Sequence, residues 1–279
     1  MIDPPSIAVY VTDLARCSLF GIEAERAQTH LNTFNGLVGA WLKEPYTIVR
    51  KDDIQNQRHI KRYEFKGFNP ELGMVLGEFL YCLRSGLDQM AWQMAKPEAR
   101  SDPRIARNIY FPIPEDLATS DRRRNYADAL AMFPDDVAKE IDALQPHIGP
   151  GSAQDHPLWQ LNKLCNLDKH CLIPIHSRGA PVYYPHIPGA LVYPVESEDA
   201  VEVSVPIENK AELDFEPENT SEVQIGNWDS DWFLPVYRLS DIYGFITCTA
   251  IPAFMKFNLA ALSEEKVRVG SVRTVYRKK

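Results

Sequence analysis

Apolar positions predict long amphipathic helices in the first two-thirds of the chain. Between residues 13 and 43 apolar side chains recur at helical spacing, and Pro45 ends the pattern. A wide apolar stripe follows Pro70 and stops at Pro97, and it predicts a second long helix. Shorter patterns of the same kind predict three more helices, over residues 117–132, 134–144 and 155–170.

Segments rich in β-branched residues predict strands. Residues 46–50 and 59–66 flank a polar turn region and predict a hairpin. After about residue 172, proline and β-branched residues become more frequent, and we predict antiparallel strands within 191–207 and 221–239. A last helix is predicted near 253–266 and a last strand over 267–276.

These elements predict an α+β fold. Its first part, residues 1–175, is expected to be a predominantly helical bundle that carries a short β-hairpin near 46–66. Its second part, residues 176–279, is expected to be a strand-rich, antiparallel portion packed on the bundle, because no flexible linker separates the two.

Composition narrows the class of protein. The 279 residues are 45% hydrophobic and 24% charged, as in ordinary globular proteins, and no apolar run reaches the ~18 residues of a membrane span. The first residues lack the basic and apolar regions of a secretory signal. The five cysteines are odd in number and widely spread, which favours reduced thiols. We therefore expect a cytoplasmic protein.

Charge argues against broad electrostatic binding of nucleic acid, because the net charge is −8. Two local basic segments remain, Arg122–Arg124 and the tail from Arg273 to Lys279. A solvated helix face and a frayed chain end explain them more simply than a binding patch does.

Two polar clusters interrupt the apolar stretches. The first is Arg84-Ser85-Gly86-Leu87-Asp88, inside the second long helix. The second is Asn166-Leu167-Asp168-Lys169-His170, at the end of the 155–170 helix. Charged groups beside a core stripe are costly unless they are paired or used. Each cluster therefore either holds elements together or forms a site.

Several interpretations of the clusters are open. Arg84 and Asp88 are four residues apart, so they share a helix face and can form an intrahelical ion pair. Arg84 can instead clamp the carboxylate of Asp168 on a facing helix. In the functional interpretation, Arg84 stabilises an anionic charge while His170 moves a proton.

Several segments together carry a resemblance. They are LGEFLYCLRSGLDQMAWQMA, IYFPIPED, LQPH and HPLWQLNKLCNLDKH, and the resemblance covers roughly residues 70 to 172. In this order they resemble a group of uncharacterised bacterial proteins that have an RSxLDH-type helix, an FPI segment, an LQP phrase and an NxDKH motif.

The arrangement is also similar to HEPN domains, helical bundles that often dimerise and often cleave RNA. Their motif is an arginine followed, after four to six residues, by a histidine. Arg84 matches the arginine, but Gln89 stands where the histidine is expected. Glutamine cannot act as a general acid or base, so the resemblance implies that this protein is either inactive or depends on His170.

Four thiols and imidazoles close in sequence raise the possibility of a zinc site: Cys165, His170, Cys171 and His176. Structural zinc sites show paired ligands two to four residues apart, and the spacings here are five, one and five. We therefore expect buried cysteines, and neither a metal nor another cofactor.

The leading hypothesis is a HEPN-like protein of defence or toxin type that binds or cleaves RNA and forms homo-oligomers. Its expected catalytic residues are Arg84, Asp88, Asp168 and His170, and its expected binding residues are Ser85, Asn166 and Lys169. The alternative is a non-catalytic interaction or dimerisation protein in which these residues form a structural charge network. A small-ligand binding protein is the third hypothesis.

Overall fold

The computed structural model describes residues 19–148, 151–178, 189–195, 200–213, 222–226 and 232–257. The α-helices are α1 (Leu19–Lys43), α2 (Glu71–Met94), α3 (Pro97–Ser101), α4 (Pro103–Ala106), α5 (Ser120–Leu130), α6 (Asp135–Ala143), α7 (Pro157–Asp168) and α8 (Arg238–Phe245). The strands are β1 (Tyr46–Asp53), β2 (Arg58–Phe65), β3 (Ile175–Arg178), β4 (Leu191–Val195), β5 (Ala200–Pro206), β6 (Glu222–Gly226) and β7 (Phe233–Pro235). Short 3₁₀ turns lie at Ala153–Asp155 and Ile207–Leu213.

The strands form two small antiparallel sheets. One has the order β1-β2-β5-β4 and the other the order β3-β6-β7. The predicted hairpin of β1 and β2 is confirmed, with Tyr46 opposite Phe65 and Asp53 opposite Arg58. Helices and antiparallel sheets together give the predicted α+β class.

The chain divides into two compact units, and each is assembled from separated segments. The first unit contains residues 1–31, 76–172 and 237–279, and the second contains 32–75 and 173–236. The predicted single domain boundary at residue 175 therefore does not match the division into these two units. The physical reason is strand pairing, because β2 of the early hairpin bonds directly to β5, with His59 opposite Val205.

The second unit has an apolar centre on its four-stranded sheet. Tyr63, Val203 and Val205 are fully buried there, and Tyr46 packs against them with its ring at right angles to that of Tyr63. Tyr63 lies opposite Val201 in the β2–β5 register, so cross-strand neighbours on one face build this centre.

Helix α2 is the long element on which the first polar cluster lies. Asn69 caps its start, since the side-chain oxygen accepts a hydrogen bond from the Glu71 amide at 3.0 Å. Its buried residues recur every three or four positions, at Leu72, Leu76, Phe79, Leu80, Leu83, Leu87, Ala91 and Met94. This periodicity is the one that predicted the helix.

The sequence prediction is wrong at the start of α8. It extends strands to Leu239, but a helix begins at Arg238, continues through a π-helical turn at Ile246–Ala250 and runs on to residue 257. Leu239 and Ile242 are fully buried on this helix, so tertiary packing overrides the strand preference of a segment rich in aromatic and β-branched residues.

Some predictions fall outside the described residues. They concern residues 13–18 of the first helix, 258–266 of the last helix, the strand at 267–276 and the basic tail. Among the helices that the structure does describe, none combines the length and the apolar character that crossing a membrane requires.

Candidate functional site

Arg84 and Asp88 form a two-point ion pair on α2. The Arg84 Nε lies 3.1 Å from Asp88 Oδ2, and Arg84 Nη2 lies 3.0 Å from Asp88 Oδ1. The side chains are 19% and 34% exposed. The intrahelical ion pair, one of the two structural interpretations, is therefore confirmed, and its fork geometry and partial burial make it stronger than an exposed pair.

The same two side chains hold the backbone of Phe111 from both sides. Arg84 Nη2 donates to the Phe111 carbonyl at 2.8 Å, and the Phe111 amide donates to Asp88 Oδ1 at 2.9 Å. The Phe111 ring is fully buried and meets Phe254 edge to face at 5.9 Å. The first cluster thus fixes the start of the segment that runs from Phe111 to Asp116.

Ser85 and Gln89 complete this face of α2. The Gln89 amide donates to the Ser85 hydroxyl at 3.1 Å. Glutamine at this position therefore acts as a local hydrogen-bond donor within the helix.

Asp168, the last residue of α7, has its carboxylate directly over the backbone of Gly77 in α2. A Cβ atom added at Gly77 would come within 2.7 Å of Asp168 Oδ1, so a larger residue there would require the carboxylate to move. Burial raises the pKa of this carboxyl above its ordinary value of 3.8. The side chain has no hydrogen bond or ion pair within the part of the chain that the structure describes.

The polar residues of the second cluster are exposed, and Leu167 is partly buried. Lys169 donates to Asn166 Oδ1 at 3.3 Å, three positions earlier on the same helix. The His170 side chain faces solvent and has no side-chain partner among the described residues.

The two clusters make no hydrogen bond or ion pair with each other among the described residues, although charges of both act on Cys165. Asp168 lies over Gly77, and Cys165 Sγ lies 3.8 Å from the Leu80 carbonyl, so α7 and α2 run in opposite directions here. Arg84 is seven residues beyond Gly77, about 10 Å further along the α2 axis. Arg84 forms no ion pair with Asp168, because the register of the two helices places them at different levels.

Replacing Asp168 with asparagine is expected to raise the free energy of unfolding at pH 7 by about 0.5 kcal/mol, because it removes an unpaired anion from a helix C-terminus. The folded-state pKa of Asp168 is raised, so its contribution is favourable below pH 3.8 and is lost as pH rises through the folded pKa. The difference between variant and wild type should therefore shrink on acidification. Urea denaturation from pH 7 to pH 4 measures it, and a destabilised variant at pH 7 would contradict it.

Of the cysteine and histidine side chains close in sequence, Cys165, Cys171 and His176 make separate contacts. Burial raises the pKa of Cys165 to about 12, so its thiol stays protonated. Cys171 Sγ lies 3.6 Å from the Leu167 carbonyl, and His176 Nε2 lies 3.1 Å from the Gly226 carbonyl. Within the described ranges, no three His, Cys, Asp or Glu side chains are arranged to hold a metal ion.

A cleft of about 220 Å³ lies beside the segment that the first cluster holds. One wall is this segment and the residue before it, and the other wall is helix α5. The lining residues are Tyr110, Pro112, Ile113, Pro114, Glu115, Asp116, Arg122, Asn125, Tyr126 and Ala129. Both walls belong to the first unit.

Tyr126 connects the cleft to α6 and the turn after it. Its hydroxyl donates to Asp142 Oδ1 at 2.9 Å, and His147 meets its ring edge to face at 5.6 Å. His147 Nε2 lies 3.4 Å from the same Asp142 oxygen. Burial, then the hydrogen bond to Asp142, raises the Tyr126 pKa, so the phenol stays protonated and its position is fixed.

Three charged side chains line the cleft, and two of them neutralise each other. Arg122 pairs with Asp116, whose other oxygen accepts from the Ala118 amide at 3.0 Å. Glu115 is left with Lys163 as its nearest cation, at 3.9 Å. The Asn125 amide has no hydrogen-bond partner among the described residues.

Sequence reasoning missed this cleft as a site. Three of the segments that carry the resemblance meet around it, since Arg84 and Asp88 hold Phe111, IYFPIPED supplies a wall, and LQPH contributes His147, which packs on Tyr126. These segments share proline and aromatic residues in loops. Such residues have no periodic spacing, so the sequence pattern does not predict that they form a cleft. No family model matches the chain, and neither a curated protein nor a solved structure matches it.

Proposed function

We propose that the protein binds a small ligand in the cleft between Tyr110–Asp116 and α5, and that Arg84 and Asp88 position its wall. The observation that carries this proposal is the double hold on Phe111. Both its backbone groups bond to one ion pair, immediately before the prolines that line the cleft. An ion pair used in this way positions the backbone, although Arg84 Nη1 is buried and has no hydrogen-bond partner among the described residues.

The cleft has the composition of a binding site. Aromatic rings and prolines supply apolar contact area, while Asn125, Tyr126 and Glu115 supply a few polar groups. At about 220 Å³ it is smaller than the ~300–1,000 Å³ of a drug-sized site. We therefore propose that the ligand is compact. We also propose that the helices of the first unit form a bundle.

Filling the cleft tests the proposal. Asn125→Trp places a large ring where an exposed side chain without partners now lines the cleft, whereas Ala127→Trp adds the same ring at an exposed position of α5 outside the lining. Ligand-observed NMR with small cations, anions and neutral molecules should detect binding to wild type and Ala127→Trp. Binding should weaken at least tenfold in Asn125→Trp. Binding that survives in Asn125→Trp, or no binding to wild type, would refute the proposal.

RNA cleavage is the second candidate function. Its proposed catalytic residues are now only Asp168 and His170. Asp168, a carboxyl with a raised pKa, is two residues from the exposed imidazole of His170 in sequence, and groups of these two kinds suit the transfer of a proton. In this version of the RNA-cleavage hypothesis, Arg84 does not take part in the proton transfer. A cytoplasmic HEPN-like protein of defence or toxin type would use such a pair.

An RNA-cleavage assay separates the two candidates. If Asp168 and His170 act in catalysis, then Asp168→Asn and His170→Ala should each abolish cleavage while leaving the protein folded. Asp128→Asn is the matched control, because Asp128 is an exposed carboxylate elsewhere on the first unit. Unchanged cleavage in His170→Ala, or no cleavage by wild type, would reject this candidate.

A further inference from the structure

We infer that the ligand of the cleft is a small organic ammonium ion, an inference that rests on the proposed binding function. The lining offers electron-rich rings and an acidic side chain that the structure leaves weakly paired. Both features favour a positive charge.

The charges of the lining point to a cation. Arg122 is occupied by Asp116, so the negative charge of Glu115 is the one left over. Lys163 approaches Glu115 only to 3.9 Å, and both side chains are largely exposed, at 41% and 58%. Such a pair is weak and can exchange partners. An anionic ligand would instead meet two carboxylates in the lining.

Tyr126 is prepared to face a cation. Its hydroxyl donates to the Asp142 carboxylate at 2.9 Å, which places additional electron density on the phenol oxygen and ring. The His147 ring packs against the Tyr126 ring in a T-shaped arrangement, with the ring centroids 5.6 Å apart. Cations are attracted to the negative face of an aromatic ring, and the attraction grows where water is excluded.

Tyr110 already accepts a cation on the opposite wall. The Arg84 guanidinium lies 5.9 Å from the Tyr110 ring centroid, and Asp88 neutralises its charge. The ring remains 47% exposed, so part of it is open to a second partner. Two tyrosines and one carboxylate around a compact cleft make a set of groups suited to an alkylammonium head.

Isothermal titration calorimetry with matched probes tests the charge requirement. Choline is the cation, 3,3-dimethyl-1-butanol is its neutral isostere of the same shape, and acetate is the anion. Choline should bind wild type about tenfold more tightly than the isostere, and acetate should not bind. Raising the salt concentration should weaken choline binding and leave the isostere unchanged.

Variants locate the effect. Glu115→Gln and Asp142→Asn should each reduce choline affinity severalfold while leaving affinity for the isostere unchanged. Tyr126→Leu should remove the preference for the cation, and Tyr81→Leu, at an exposed tyrosine on α2, is its control. Because Tyr126 is half-buried, a melting curve checks whether Tyr126→Leu is folded. If that variant is unfolded, Glu115→Gln, at an exposed position, provides the test instead.

The outcomes separate this inference from the proposed function. If the isostere or another neutral or anionic molecule binds as well as choline, and Asn125→Trp abolishes that binding, the cation inference fails while the binding function stands. If choline binding is unaffected by Glu115→Gln and Asn125→Trp, choline binds elsewhere and the inference fails. If no small molecule binds in the cleft, both fail together.

Discussion

Replacing Phe111 with alanine is expected to lower the free energy of unfolding by about 3–5 kcal/mol. The ring is fully buried and packs edge to face against Phe254, so its loss removes apolar burial and leaves a cavity. Phe111 lies within the segment Tyr110–Asp116, which forms one wall of the cleft opposite α5. The variant should therefore also lose ligand binding. Chemical denaturation measures the first effect and calorimetry the second.

Phe111→Leu is the matched control for this prediction. Leucine retains most of the buried volume and leaves the backbone groups of residue 111 free to bond to Arg84 and Asp88. It should cost well under half as much as alanine, and it should keep measurable binding. A loss below about 1 kcal/mol for Phe111→Ala would show that the site relaxes around the missing ring, and the anchoring role would then be wrong.

The sequence predicts the fold best where a repeating pattern exists. The stripe of α2 and the hairpin of β1 and β2 have clear periods and turn residues, and both are confirmed. The prediction fails at the start of α8 because residues such as Val236 and Tyr237 suit strands by local preference, while the burial of Leu239 in the first unit favours a helix. The composition of each unit also depends on pairing partners far apart in sequence, such as β2 and β5.

The candidate site, like the fold, is predictable from the sequence only where residue spacing determines a contact. A spacing of four predicts that Arg84 and Asp88 meet, and they do. Nothing local indicates that their common partner is the backbone of Phe111, since the amide and carbonyl of any residue look alike in a sequence. The expected meeting of Arg84 with Asp168 required the register of two helices, which periodicity leaves undetermined.

Replacing Asp88 with alanine is expected to cost about 2–3 kcal/mol. The change leaves the Phe111 amide without its acceptor and the Arg84 guanidinium without its counter-ion. Breaking a fully buried pair costs about 3–5 kcal/mol, and the partial exposure of these side chains reduces that value. Asp88→Asn keeps an acceptor for Phe111 and should cost less, which isolates the contribution of the charge.

A double-mutant cycle distinguishes a structural pair from two catalytic residues. In the proposed role Arg84→Met and Asp88→Ala remove one shared network, so the double variant should be about 1–2 kcal/mol more stable than the sum of the single losses predicts. Ligand affinity should fall in each variant, because the wall of the cleft shifts with Phe111. Additive stability losses would contradict the shared network. Loss of RNA cleavage at unchanged stability and unchanged ligand affinity would assign Arg84 to catalysis, since a positioning residue cannot be removed without disturbing the backbone that it holds.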